Sequence, residues 1–263
     1  MKSTKPFLSV IVPVYNENRR LYNLAAFHQF LCSQRKTCEL IVVNDGSADN
    51  TLKKLRQLKK ELDFKLITYP LNHGKGYAIK QGMLAASGQY RLFSDVDLST
   101  PLTEFEKFLP FLLKYDLIIA TRKTKNSLLL VRQPKIRETL GKGFTFLSRK
   151  MLGVKVSDFT CGFKCFSQKA ADEIFPRVTI DRWGFDSEVM FLAHKLHLKH
   201  KEVNVVWKND PLTKVKFPQD IIRSLSDLLK IRRNDFRGVY NKAEAVATEK
   251  ELLPMGQLQE VKS

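Results

Sequence analysis

Short apolar runs alternate with amphipathic stretches through the first half of this chain, and that alternation constrains the fold more than any other feature. Leu8 to Pro13, Glu39 to Val43, Phe64 to Tyr69, Gln89 to Ser94 and Leu117 to Ala120 read as strands. Asn18 to Leu31, Ala48 to Leu62, Gly76 to Ala86 and Thr103 to Leu113 read as the helices between them. Leu21, Leu24, Ala25 and His28 share one face of the first helix, and Ser47 stands as the expected N-cap of the second. This β-α-β-α order predicts an α/β fold: a Rossmann-like, mainly parallel central sheet with right-handed crossovers and helices on both faces. Ligands of such sheets bind outside the carboxyl ends of the strands.

The second half is less regular. Arg132 to Leu152 reads as a basic helix, Asp158 to Phe166 as a loop and strand, and Trp183 to Lys195 as another helix. Val203 to Trp207 resembles an outer strand. Pro218 to Arg233 sets Ile221, Leu225, Leu228 and Leu229 at helical spacing among Arg223, Lys230, Arg232 and Arg233. From about Lys242 the pattern stops and the composition turns polar, the expectation for a disordered tail over 241–263. No repeat and no Gly/Ser linker divides residues 1–240, which read as one domain.

The strand exits carry the chemistry. The fourth strand ends in Ser94-Asp95-Val96-Asp97, and two carboxylates one residue apart can hold a hard divalent cation beside a diphosphate. A lone Asp-x-Asp is common; its place in a series of polar loops gives it weight. The first strand runs into Pro13-Val14-Tyr15-Asn16-Glu17, where Tyr15 offers a stacking face and Glu17 acceptors for a base or ribose. Equally, Pro13 and Asn16 simply turn the chain there. The second ends in Asn44-Asp45-Gly46-Ser47, either a ligand acceptor at Asp45 or a turn and cap. After the third, Asn72-His73-Gly74-Lys75-Gly76 puts a lysine between glycines ahead of a helix, which suits a phosphate. It lacks the P-loop spacing.

The formal net charge of +18 points to nucleic acid, an anionic membrane or phosphate-bearing ligands without choosing among them. No basic–aromatic pattern of the RNA-binding kind and no zinc spacing supports a nucleic-acid module. Cys32, Cys38, Cys161 and Cys165 lack paired C-x-x-C spacing, the expectation for reduced cytosolic thiols. His194, His197 and His200 recur every third residue and read as a hydrated helix end or, on spacing alone, a metal site. No run approaches the roughly 18 apolar residues of a spanning helix, so a soluble or peripheral cytoplasmic protein is expected.

Taken together, Val12-Pro13-Val14-Tyr15-Asn16-Glu17, Val42-Val43-Asn44-Asp45-Gly46-Ser47, Asn72-His73-Gly74-Lys75-Gly76 and Asp95-Val96-Asp97 resemble family 2 inverting glycosyltransferases of the GT-A fold. Asp158-Phe159-Thr160-Cys161-Gly162-Phe163-Lys164 and Arg182-Trp183-Gly184-Phe185-Asp186-Ser187-Glu188 are most similar to the dolichyl-phosphate β-glucosyltransferases, with dolichyl-phosphate mannose synthases more distant. The resemblance implies a nucleotide-sugar half over about 7–122 and an acceptor half over about 123–240. It implies that Pro13, Tyr15, Glu17, Asp45 and Lys75 contact the nucleotide, and that Asp95 and Asp97 hold the diphosphate through Mg²⁺ or Mn²⁺. UDP-glucose is the favoured donor, GDP-mannose the second.

The acceptor decides the mechanism. A polyprenyl phosphate has a second pKa near 6, is anionic at pH 7 and needs positioning cations rather than a base. Arg122, Arg132 and Arg137 are the candidates, with Asp158 as a further acceptor or metal contact, or only a loop-shaping residue. A hydroxyl acceptor on a glycolipid or polysaccharide needs a general base. Asp186 is then the candidate; it also reads as a residue that orients the sugar, or as a first-turn acid favoured by the helix dipole. The role of Glu188 stays open. An anionic membrane face is the expected partner surface, with Pro218–Arg233 either lying in it or packing on the core. Whether a separate membrane protein docks the enzyme is left open.

Overall fold

A computed structural model describes residues 5–123, 127–131, 135–210 and 219–241. Its centre is a seven-stranded sheet built from β1 (Leu8–Val14), β2 (Cys38–Asp45), β3 (Lys65–Tyr69), β4 (Tyr90–Ser94), β5 (Leu117–Thr121), β7 (Phe163–Ser167) and β8 (His200–Asn204), in the order β3-β2-β1-β4-β7-β5-β8. β7 alone is antiparallel to its neighbours. A separate ribbon pairs β6 (Leu128–Val131) with β9 (Val206–Lys208). The helices are α1 (Asn23–Ser33), α2 (Thr51–Leu58), α3 (Lys75–Ala85), α4 (Lys135–Leu152), α5 (Gln168–Ile174), α6 (Phe185–Lys195) and α7 (Gln219–Phe236).

The period of two along each strand splits the apolar side chains between two cores. Val10, Val12, Leu40, Val42, Leu66 and Leu92 face α1 and α2, where Leu24, Phe27 and Leu55 meet them. Ile11, Ile41, Val43, Ile67 and Phe93 face the other way, onto α3, α5 and α6. Strands buried on both faces explain the near-continuous apolar runs in the sequence. The register sets Val12 beside Val42 and Ile11 beside Ile41 and Phe93, so β1, β2 and β4 deliver their exits to one edge.

Several boundaries differ from expectation. α1 begins at Asn23, because Glu17 to Leu24 closes in tight turns with Arg20 N–H on Glu17 O and Asn23 N–H on Arg20 O. Thr103 to Leu113 is not an α-helix but two 3-10 segments, Leu102–Lys107 and Leu109–Phe111. Pro110 has no N–H to donate and crowds the preceding turn. The outer strand divides at Val205: β8 stays beside β5, while β9 leaves to join β6. β6 and α5 were missed, both being short. The expected tail from 242 lies outside the described residues.

Candidate active site

Asp45 closes β2 and braces the next loop. Its Oδ1 accepts the His73 N–H at 2.9 Å, and its Oδ2 accepts the Gly74 N–H at 2.9 Å and Asn72 Nδ2 at 2.6 Å. Gly74 takes φ 120°, and a Cβ there would sit 2.6 Å from Asp181 O, so the loop lies flat against the segment ahead of α6. That places Lys75 at the start of α3 with Nζ 2.6 Å from Asp95 Oδ1 and 5.5 Å from the centre of the Trp183 ring. Burial alone would depress the Lys75 ammonium; the charges of Asp95 and Asp186 outweigh it and hold its pKa above the ordinary value.

Asp95 and Asp97 leave β4 together. The Asp95 N–H donates to Gly162 O at 3.2 Å, and the Gly162 Cα approaches so closely that a Cβ would fall 2.0 Å from Asp95 Oδ2. Asp97 Oδ1 accepts the Ser99 N–H at 2.9 Å. Burial, and then repulsion from Asp95, raises the Asp97 carboxyl above the usual range. Among the described residues no group of three His, Cys, Asp or Glu is placed to hold a metal. Any cation at this pair would need oxygens from its ligand.

The β1 exit is locked to the β2 exit. Asn16 adopts φ 52°, which its short amide tolerates, and its Oδ1 accepts the N–H groups of Ala48 and Asp49. Ser47 does not cap α2; its Oγ accepts the Asn16 N–H at 2.9 Å, and α2 begins only at Thr51. Pro13 lies opposite Val43 in the sheet. Tyr15 stands 37% exposed at the rim. Glu17 is buried, 3.0 Å from Arg20, which also reaches Asp210.

Across the edge, Arg122 follows β5 and clasps Asp158, Nε to Oδ2 at 2.7 Å and Nη2 to Oδ1 at 2.9 Å. Thr160 Oγ1 takes a further bond from Nη2, and the guanidinium lies 5.2 Å from the Trp207 ring centre. Asp158 is fully buried; burial would raise its pKa, but Arg122 holds it well below the usual carboxylate range. Its reach toward any ligand therefore runs through Arg122. Asp186 is buried in a salt bridge to Lys164, whose Nζ also donates to Cys161 O at 2.7 Å. Burial lifts the Asp186 carboxyl above its ordinary range despite Lys164 and Lys75. Glu188 accepts from Thr179 N–H, Ile180 N–H, Thr179 Oγ1 and Tyr240 Oη. It anchors the segment that carries Trp183 and takes no place at the sheet edge. Arg132 lies outside the described residues, and Arg137 sits on α4 with its side chain not described.

Residues 9–175 match the family described as Glycosyl transferase family 2. The chain belongs to glycosyl transferase family 2. This glycosyltransferase is 32% identical over 249 residues to the dolichyl-phosphate beta-glucosyltransferase of Dictyostelium discoideum, covering 89% of this chain and 76% of the relative. It is 31% identical over 256 residues to the Saccharomyces cerevisiae dolichyl-phosphate beta-glucosyltransferase, with the same shares covered. Among solved structures, glucosyl-3-phosphoglycerate synthase of Mycobacterium tuberculosis, in complex with Mn²⁺, UDP and glucosyl-3-phosphoglycerate, matches with a TM-score of 0.60. That match covers 88% of this chain and 80% of the other at 20% identity, a likeness of fold. The fold is GT-A, and the protein is an enzyme of the glycosyltransferase class.

Sequence reasoning missed two members of the glycosyltransferase's polar edge. Lys164 carried a signal: a lysine inside the apolar run Phe163-Lys164-Cys165-Phe166 must find a buried partner. Trp207 carried none, because its contact with Arg122 joins residues remote in sequence.

Proposed function

We propose that the protein transfers glucose from UDP-glucose to a polyprenyl or dolichyl phosphate with inversion at the anomeric carbon. Its relatives' names support the donor sugar and acceptor class. The observation that carries the phosphate-acceptor reading is Asp186, buried and paired with Lys164, and so poorly placed to take a proton from a hydroxyl. A phosphate dianion needs no base.

In this reading Pro13, Tyr15, Glu17 and Asp45 shape the nucleotide side, Tyr15 offering its exposed ring to the base. Asp45 works mainly by fixing the loop that presents Lys75. Asp95 and Asp97 fit a divalent cation: two hard oxygen donors whose mutual repulsion a cation relieves, with diphosphate and water completing the shell. Mg²⁺ or Mn²⁺ bound there would neutralise the departing diphosphate. Lys75, already held on Asp95, adds a second positive charge beside the same phosphates. Arg122 spends Nε and Nη2 on Asp158 and Thr160, which fixes the guanidinium plane; in this reading its Nη1 would meet the acceptor phosphate. The two roles divide one domain into a nucleotide-sugar side, about 7–122, and an acceptor side, about 123–240. No helix among the described residues is long and apolar enough to cross a membrane. We place the enzyme peripherally, at the cytoplasmic face of the membrane that holds its acceptor.

A hydroxyl acceptor is the second reading, favoured by the raised pKa of Asp186, which suits a base. The test is transfer of labelled sugar into an organic phase from UDP-glucose or GDP-mannose, with polyprenyl phosphate and Mg²⁺ or Mn²⁺. A metal-dependent, acid-labile lipid product from UDP-glucose is expected. Donor turnover without a lipid product would sink the phosphate reading, and loss of that turnover in Asp186→Asn would then establish the base.

A further inference from the structure

Ten of the fifteen exposed large hydrophobic side chains among the described residues fall in two stretches, 128–146 and 222–239. They are concentrated rather than scattered. On α7, Ile222, Leu229 and Phe236 recur every seventh residue and are 63%, 64% and 94% exposed, one apolar stripe along the helix. The other exposed positions from 222 to 237 are Arg223, Ser226, Arg232, Arg233 and Arg237. The three acids of α7 are all less exposed than these arginines, two of which they reach: Asp220 lies 4.0 Å from Arg223 and Asp235 3.6 Å from Arg232. Asp220 is buried, half-buried Asp227 takes the Gly184 N–H, and half-buried Asp235 lies 2.8 Å from Lys195.

α4 packs against α7 and also exposes apolar and basic side chains together. Ile136, Leu140 and Phe146 are exposed among Lys142, Arg149 and Lys150, and the single acid, Glu138, is paired with Lys142 at 2.8 Å. Upstream of α4 in the chain, β6 exposes Leu128 and Leu130, and Ser127 Oγ ties the start of that ribbon to Thr121 O, next to Arg122.

We infer that the outer faces of α4 and α7 form a docking surface for an anionic lipid bilayer. Apolar side chains flanked by cations, with the one partly exposed acid of α4, Glu138, neutralised by Lys142, match helices lying in a charged interface. A second copy of this chain is a poor occupant, since a twofold contact would set these arginines against their own kind. The inference deepens the lipid-acceptor reading by giving the enzyme a way to reach a membrane-held phosphate. It is read out without substrate, so the two can fail separately.

The experiment is co-sedimentation of the full chain with phosphatidylcholine vesicles, with and without phosphatidylglycerol. Binding is expected only with the anionic lipid and is expected to weaken with salt. Arg233→Gln with Arg237→Gln should weaken it about fivefold for each arginine. Leu229→Ser with Phe236→Ser should weaken it at least about tenfold for each side chain. UDP affinity should stay unchanged in both pairs, which shows that the fold survives. Wild-type protein that ignores anionic vesicles, or variants that bind them as well as wild type, would overturn the inference. So would a solution dimer that the apolar pair converts to monomer with vesicle binding intact. In none of these cases would lipid-product formation from detergent-solubilised acceptor be affected.

Discussion

The two sides of the active edge are held by different physics. On the proposed nucleotide side, a polar side chain from one loop braces the backbone of the next: Asp45 holds the N–H groups of 73 and 74, and Asn16 those of 48 and 49. On the proposed acceptor side, charge is set against charge in burial: Arg122 on Asp158 and Lys164 on Asp186. A side chain that braces backbone amides can be lost with moderate damage. A buried charge that loses its partner has nowhere to go.

Lys164→Met should therefore be the most damaging single change, costing about 3–5 kcal/mol in urea unfolding because Asp186 is left alone. The double change Lys164→Met with Asp186→Leu should recover most of that loss. A double mutant no better than the single would break the contrast. Asp97→Asn should spare stability yet lower glycosyl transfer by on the order of 10²–10³, measured as release of nucleoside diphosphate. Asn16→Ala or Asn72→Ala should cost only about 1–2 kcal/mol, by the same unfolding measurement.

Acid sharpens the comparison. The folded pKa of Asp158 lies below its unfolded value near 3.9. Above pH 4 the Arg122–Asp158 contribution is fully present, and it is lost as pH falls from there toward the folded pKa. Arg122→Gln with Asp158→Asn should flatten the acid limb of stability between pH 4 and 2. The smallest effect is chemical. Burial pushes the Cys161 thiol up to about 11, and Cys165 is raised further. Only exposed Cys32 should react quickly with a thiol reagent at neutral pH. Early labelling of Cys165 would show that β7 opens from β4 and β5 in the native state.

The residues proposed to meet the nucleotide could be named because each lies in a short run. Each strand, turn and ligand-ready residue sits within a few positions of the next, so Asp45, Lys75, Asp95 and Asp97 could be named from their runs. The resemblance supplied the family, and with it the roles proposed for them. The acceptor side was harder because its residues act as pairs that no single run displays: Arg122 finds Asp158 after 36 residues, and Lys164 finds Asp186 after 22. Helix ends were misplaced where tertiary bonds outbid local preference. Ser47 has the chemistry of a cap, but Asn16 claims it first.

The reversed strand β7 also sets an order of events during synthesis. β1, β2, β3 and β4 pair only among themselves until β7 arrives, so half a sheet can form once residue 94 has emerged. β5 has no such company: its partners are β7 and β8, which follow it in the chain. At roughly 5–20 residues per second, the unpaired edge of β4 waits about 4–15 s on the ribosome for residue 167. During that interval the nascent chain presents an open strand edge, the surface chaperones are built to cover.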